Sequence, residues 1–212
     1  MKISIISLIL LFSGCSDYVK LKKSNGTKIM LSEKSVKTSD EIIFRSNDLI
    51  NGSKHYTLID LKDRKAIDEK ADYSFEFKIS GDINNTKANF ATFNEVSVKD
   101  GEKFHDILLF YIKDGILYGD LKYATKSKFN KTPAKVRILK SPNFPLDKWM
   151  KLRLDVFWSV KNGSISGEVN GSKINYQGPV GIKAKKTSKM KIGIIHVHGN
   201  GIYSISFCKL DY

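Results

Sequence analysis

Apolar and polar side chains alternate in twos along most of the chain. In DYSFEFKIS, residues 72–80, Tyr73, Phe75, Phe77 and Ile79 fall on one face and Asp72, Ser74, Glu76 and Lys78 on the other. Successive side chains of an extended strand point to opposite faces, so this spacing predicts an antiparallel strand buried on one side. MKLRLDVFWS, residues 150–159, repeats it, with Leu152, Leu154, Val156 and Trp158 set against Lys151, Arg153 and Asp155. Lys113-Asp114-Gly115, Lys161-Asn162-Gly163 and Asn170-Gly171-Ser172 punctuate the pattern as short glycine-containing links suited to hairpins. KSPNFPLDKW, residues 140–149, holds two of the four prolines and predicts a crossover loop into the strand that Trp149 opens. No stretch has the spacing of a long amphipathic helix; residues 61–70, LKDRKAIDEK, offer a turn or two of helix, or a loop. Short strands at regular intervals predict an all-β fold, a β-sandwich or jelly roll of antiparallel strands.

The first fifteen residues break the alternation. MKISIISLILLFSGC sets Lys2 before an apolar run from Ile3 to Phe12 and places small residues before Cys15, which is the layout of a secretory signal peptide over residues 1–14. The run is too short to span a bilayer. A cysteine after LFSG resembles a bacterial lipobox, with Phe12 where leucine is more usual. That implies acylation of Cys15, by palmitate or similar chains, and stable membrane attachment without a spanning helix. A cleaved signal with an incidental cysteine is the alternative. Ser16 after the lipidated position points to the outer membrane of a bacterial envelope, on its periplasmic or surface face. Residues 15–37, rich in Lys, Ser, Asn and Thr, read as the lipidated cysteine and a flexible tether, and residues 38–212 as one domain. Cys208 is the other of two cysteines, so with Cys15 acylated no disulfide is expected.

Charge narrows the ligand more than the fold. The chain has 36 Lys+Arg against 22 Asp+Glu, a formal net charge of +14, with the basic residues scattered along its length. Such a field favours polyanions, although a lysine-rich face is as often only a solvated one. Nucleic acid is not the expected partner, because no basic recognition helix, zinc-ligand spacing or RNP-type aromatic motif is present. Among 9 Tyr, 12 Phe and 2 Trp, most Phe occupy alternating strand positions suited to the core. Exposed aromatic rings stack on sugars, and long basic side chains pair with carboxylate or sulfate.

KIGIIHVHGNG, residues 191–201, places His196 and His198 two apart, so on a regular strand they share a face and follow Ile192 and Ile194. As a zinc pair they lack further ligands, since the other histidines are His55 and His105 and no second thiol lies nearby. No metal or cofactor is therefore expected. As proton-transfer groups they suit neutral pH, because an unperturbed imidazole titrates near pH 6.5. The plainer account makes one a hydrogen-bonded wall residue and leaves the other exposed.

The C-terminal third carries a resemblance. Trp149, Trp158-Ser159, Asn170-Gly171, Gly178-Pro179 and Lys191-x-Gly193 follow, in order, the pattern that closes polysaccharide lyases with a concanavalin A-like jelly roll, the heparin lyase I and glucuronan lyase type. The resemblance implies β-elimination across a uronate linkage, for which a site must neutralise the sugar carboxylate, remove the adjacent proton and protonate the leaving oxygen. Where the family has Arg-x-Glu-Leu, this chain has His55-Tyr56-Thr57-Leu58 or Arg45-Ser46-Asn47-Asp48. Its Gln-x-His falls on Thr92-Phe93-Asn94, and its Tyr on Ile195. By the same analogy a concave sheet brings His55, Asn94, His196 and Tyr111 or Tyr118 onto one groove floor. Asn94 would hold the carboxylate, His55, His196 or His198 would serve as base or carboxylate partner, and a tyrosine hydroxyl as acid. Two readings stay open: a lyase acting on an acidic polysaccharide, and a lipoprotein that binds such a glycan or contacts another envelope protein without cleaving. A monomer is expected in either case.

Overall fold

A computed structural model describes residues 18–23, 28–32, 41–46, 57–65, 68–84, 86–95, 107–123, 134–180, 188–198 and 201–211, with backbone alone at 18–23, 28–32, 57–65, 94–95, 188–189 and 195–198. The described elements are strands: β1 Tyr18–Lys23, β2 Lys28–Ser32, β3 Ile42–Arg45, β4 Thr57–Lys65, β5 Lys70–Gly81, β6 Lys87–Glu95 and β7 Leu108–Lys113. They continue as β8 Ile116–Tyr123, β9 Ala134–Ser141, β10 Met150–Phe157, β11 Ser159–Val169, β12 Ser172–Val180, β13 Ser188–His198 and β14 Tyr203–Asp211. They form two antiparallel sheets, one of eight strands in the order β2-β1-β4-β13-β6-β7-β8-β9 and one of six in the order β12-β11-β10-β5-β14-β3. The all-β sandwich expected from the alternation is therefore the fold.

The predicted core faces are buried. Tyr73, Phe75, Phe77 and Ile79 of β5 pack beside Leu152, Leu154 and Val156 of β10, with Trp158 just beyond them. Aromatic rings tie the two sheets together: Phe77 stacks on Phe90 of β6 at 4.6 Å, and Tyr73 meets the edge of Phe93 at 4.7 Å. Burying several such rings supplies most of the apolar drive for stacking the sheets. Asp114-Gly115 and Asn170-Gly171 all have positive φ, 52° and 69° in the first pair and 46° and 74° in the second. That is the geometry of a two-residue hairpin whose twist matches its strands. Lys161-Asn162-Gly163, expected as a link, lies instead within β11, where the pairing with β12 is irregular between Ser159 and Gly163; residues 142–149 carry the chain from β9 in one sheet to β10 in the other.

Two other expectations are corrected. Residues 61–65 belong to strand β4 and not to a helical turn, because Arg64 and Lys65 continue the pairing of β4 with β13 past the stretch, 57–60, that also pairs with β1. Within the stretch read as a tether, β1 and β2 pair as a hairpin and extend the eight-stranded sheet beside β4. Cys208 is buried, its thiol 3.7 Å from Glu76 Oε2, and burial together with that carboxylate pushes the thiol pKa up. Cys15, His55 and His105 lie outside the described residues.

Candidate functional site

The eight-stranded sheet has a core face and an opposite, outer face. On β7, Leu108, Phe110 and Ile112 join the core, so Leu109 and Tyr111 lie on the outer face. Register carries that face across the neighbouring strands. Tyr111 lies opposite Asn89 of β6 and Tyr118 of β8, and Leu109 lies opposite Thr92 and Asp120.

Three register shifts decide which other residues reach this face. On β9, Gly119 pairs with Leu139 but Asp120 pairs with Arg137, so Ile138 is an extra residue. Simple alternation from the buried Leu139 would turn Arg137 toward the core; the extra residue sets it opposite Asp120 instead. On β6, Phe90 is the extra residue, and both it and Ala91 face the core. On β13, Ile192 pairs with Ala91 while His196 pairs with Asn89 and His198 with Lys87. Regular alternation would keep His196 on the core side with Ile192 and Ile194. The shift moves both histidine positions to the outer face, in line with Asn89 and Tyr111.

The result is a row, His196, Asn89, Tyr111, Tyr118, across four adjacent strands. Asn89 is 2% exposed, and its side-chain oxygen Oδ1 is buried without a hydrogen-bond partner. The Tyr111 and Tyr118 rings stack at 5.1 Å, and Lys87 Nζ sits 4.2 Å over the Tyr111 ring. Beside them Asp120, 3% exposed, accepts hydrogen bonds from Tyr111 Oη at 2.9 Å, Arg137 Nε at 2.7 Å and Lys135 Nζ at 2.7 Å. Arg137 Nη2 also donates to Tyr111 Oη at 3.0 Å, and its guanidinium lies 4.2 Å over the Tyr118 ring.

These contacts set the protonation states. Burial alone would push the Asp120 carboxyl up, but the hydrogen bonds from Arg137, Lys135 and Tyr111 outweigh it and hold the group below the usual carboxylate value. The Tyr111 hydroxyl is pushed up to about 12, first by burial and then by its bond to the Asp120 carboxylate. At neutral pH the cluster is therefore an ionised aspartate, a neutral tyrosine and two cations.

Of the residues expected from the sequence, Tyr111 and Tyr118 lie together on this face, and the register sets the His196 and His198 positions opposite Asn89 and Lys87, two strands from Tyr111. Asn94 lies farther along β6, opposite Lys189, five residues and about 15 Å from Asn89. The Arg45 alternative sits on β3 in the six-stranded sheet, away from this face. Thr57 and Leu58 of the other alternative open β4, next to β13. Sequence reasoning missed Asn89 and Asp120, which reach this face only through the pairing of β6 and β8 with β7, and Arg137, whose face depends on the extra residue of β9. No group of three or more His, Cys, Asp or Glu side chains suited to a metal ion occurs among the described residues.

The architecture is that of the jelly-roll β-sandwich used by polysaccharide lyases, at identities that make the likeness one of fold. The endo-β-1,4-glucuronan lyase of the fungus Trichoderma reesei matches with a TM-score of 0.68 at 15% identity, covering 92% of this chain and 90% of that one. An alginate lyase of polysaccharide lyase family 7 matches at 0.59 and 12%, with 92% of each chain covered. The alginate lyase of Pseudomonas aeruginosa matches at 0.58 and 12%, over 92% of this chain and 96% of that one. No family model matches the sequence, and no curated protein does.

Proposed function

We propose that the outer face of the eight-stranded sheet binds an acidic, uronate-containing polysaccharide and cleaves it by β-elimination. The observation that carries this reading is the row His196, Asn89, Tyr111, Tyr118, with Lys87, Lys135 and Arg137 around it, on a sandwich shared with lyases named for glucuronan and alginate. Cations there offset the polymer's charge, and the amide of Asn89 offers a neutral group for a carboxylate.

In the reaction, the base takes the proton beside the carboxylate, the electron pair forms a ring double bond, and the glycosidic oxygen leaves with a proton. His196, opposite Asn89, is the proposed base, since imidazole is largely neutral near pH 7. Tyr118 is the proposed acid. Its hydroxyl has no bond to a described residue, whereas that of Tyr111 already donates to Asp120. That engagement of Tyr111 favours a second reading, in which the groove holds the same glycan without cleaving it. Attachment to the outer membrane through acylated Cys15 is part of the proposal and rests on the lipobox-like LFSGC alone.

The test is to incubate the full chain, in neutral detergent, with alginate, polyglucuronate, hyaluronan and heparin and to follow the ultraviolet absorbance of the unsaturated product. Absorbance that rises with one polymer and is abolished by His196→Ala supports the lyase. A flat trace with salt-sensitive retention on that polymer supports binding alone.

A further inference from the structure

The cluster around Asp120 holds more positive charge than its aspartate requires. One buried carboxylate is met by two cations, Arg137 and Lys135, each of which makes its only ion pair among the described residues with Asp120. Both cations reach solvent: the Arg137 side chain is 41% exposed and that of Lys135 52%, against 3% for Asp120.

The arginine is also held in place. Its Nε and Nη2 fork onto the two oxygens of Asp120, Nη2 touches Tyr111 Oη, and the Tyr118 ring underlies the guanidinium plane. Nη1 has no partner among the described residues, and Lys135 Nζ uses one of its three donors on Asp120. A free surface arginine loses much rotamer entropy when it captures an anion; one already fixed loses little. The unpartnered Asn89 oxygen marks a second polar point on the same face, at the other end of the Tyr111 side chain.

The geometry points to Arg137 and Lys135 as a second carboxylate subsite, which takes the acid group of a neighbouring sugar and lies on β9, across β7 and β8 from the β6 and β13 positions proposed for the reacting linkage. Asp120 is then a positioning residue that aims the guanidinium, which lies over the Tyr118 ring. This inference rests on the proposed reading for the identity of the ligand, not for the presence of the subsite. A purely structural role for the two cations would tie them to stability and not to affinity.

Polyglucuronate is titrated calorimetrically into the full chain in neutral detergent at low and moderate salt, with Lys135→Gln and Arg137→Lys as variants. Lys135→Gln removes one cation and leaves the Asp120–Arg137 pair; Arg137→Lys keeps the charge and removes the fork. The expected result is affinity weakened about threefold by the first and about tenfold by the second, with a shallower salt dependence for Lys135→Gln and melting temperatures near that of the parent. If the parent chain binds without producing unsaturated product and both variants bind more weakly, the lyase reading fails and the subsite stands. If the parent cleaves and both variants keep its affinity and KM, the subsite is overturned while the lyase stands. Absence of binding to polyglucuronate by the parent overturns the subsite.

Discussion

The outer faces of the two sheets are built from similar residue types and behave differently. On the six-stranded sheet, β5 and β10 pair without a register shift, and the charged side chains that β5 turns outward meet partners in solvent-accessible pairs, Lys78 with Glu41 and Glu76 with Lys209, the latter beside the shift between β14 and β5. On the eight-stranded sheet, β6, β9 and β13 each take part in a shifted register, and the outward polar groups Asn89, Thr92 and Asp120 are buried. Exposed ion pairs contribute little, whereas buried polar groups are costly unless partnered. On the eight-stranded face the cost is met at Asp120 by hydrogen bonds from Tyr111, Arg137 and Lys135 and left open at Asn89 Oδ1, the polar atom that the proposed ligand site would have to satisfy.

The largest expected effect tests the framework common to both faces. Phe77→Ala removes the ring that stacks on Phe90 between the sheets and should destabilise the protein by about 3–5 kcal/mol, read as a lowered urea midpoint. Next comes the groove itself. Asp120→Asn should cost about 2 kcal/mol and weaken polyglucuronate binding, because the guanidinium loses its anchor. A variant as stable as the parent would make the cluster no different from the pairs on the opposite face.

The same carboxylate predicts a pH dependence. The Asp120 pKa is held below its unfolded value of about 3.9, so its contribution is fully present above that pH and is lost as the pH falls through the lower folded value. Urea midpoints measured from pH 5 downward should fall less steeply in Asp120→Asn. At the alkaline end, the Tyr111 hydroxyl is raised from about 10 to about 12. The stability this lends is present below pH 10 and is lost as the pH rises toward 12, and ultraviolet titration of phenolate should show a late phase whose amplitude is smaller by one tyrosine in Tyr111→Phe. The smallest effect belongs to the six-stranded face, where Glu41→Gln should move the urea midpoint less than any variant above, since the exposed Glu41 carboxylate, held below its usual value first by a hydrogen bond with Ser206 and then by Lys78 at 3.4 Å, is well screened.

Much of the fold was legible because side-chain period reports backbone conformation directly. The alternation at Tyr73–Ile79 and Leu152–Trp158 marked core faces, and Asp114-Gly115 and Asn170-Gly171 marked hairpins, because only a few residue types tolerate positive φ. Residues 61–65 misled because a paired interior strand needs no clean alternation. Tyr111 and Tyr118 were visible as aromatic residues on neighbouring strands, but nothing local in the sequence links Asn89, Asp120 and Arg137.

The sequence by itself determined that this chain is a β-sandwich with a phenylalanine-rich interior and a surplus of positive charge. Only the tertiary structure decided which polar residues share a face. A strand's side chains alternate strictly, so one extra residue on β6 or β9, or the shift along β13, exchanges core and groove for everything beyond it. Such a residue is set by pairing and packing with neighbouring strands that are distant in sequence. That is why the His196 position reaches the outer face although its own period assigns it to the core, and why Arg137 meets Asp120.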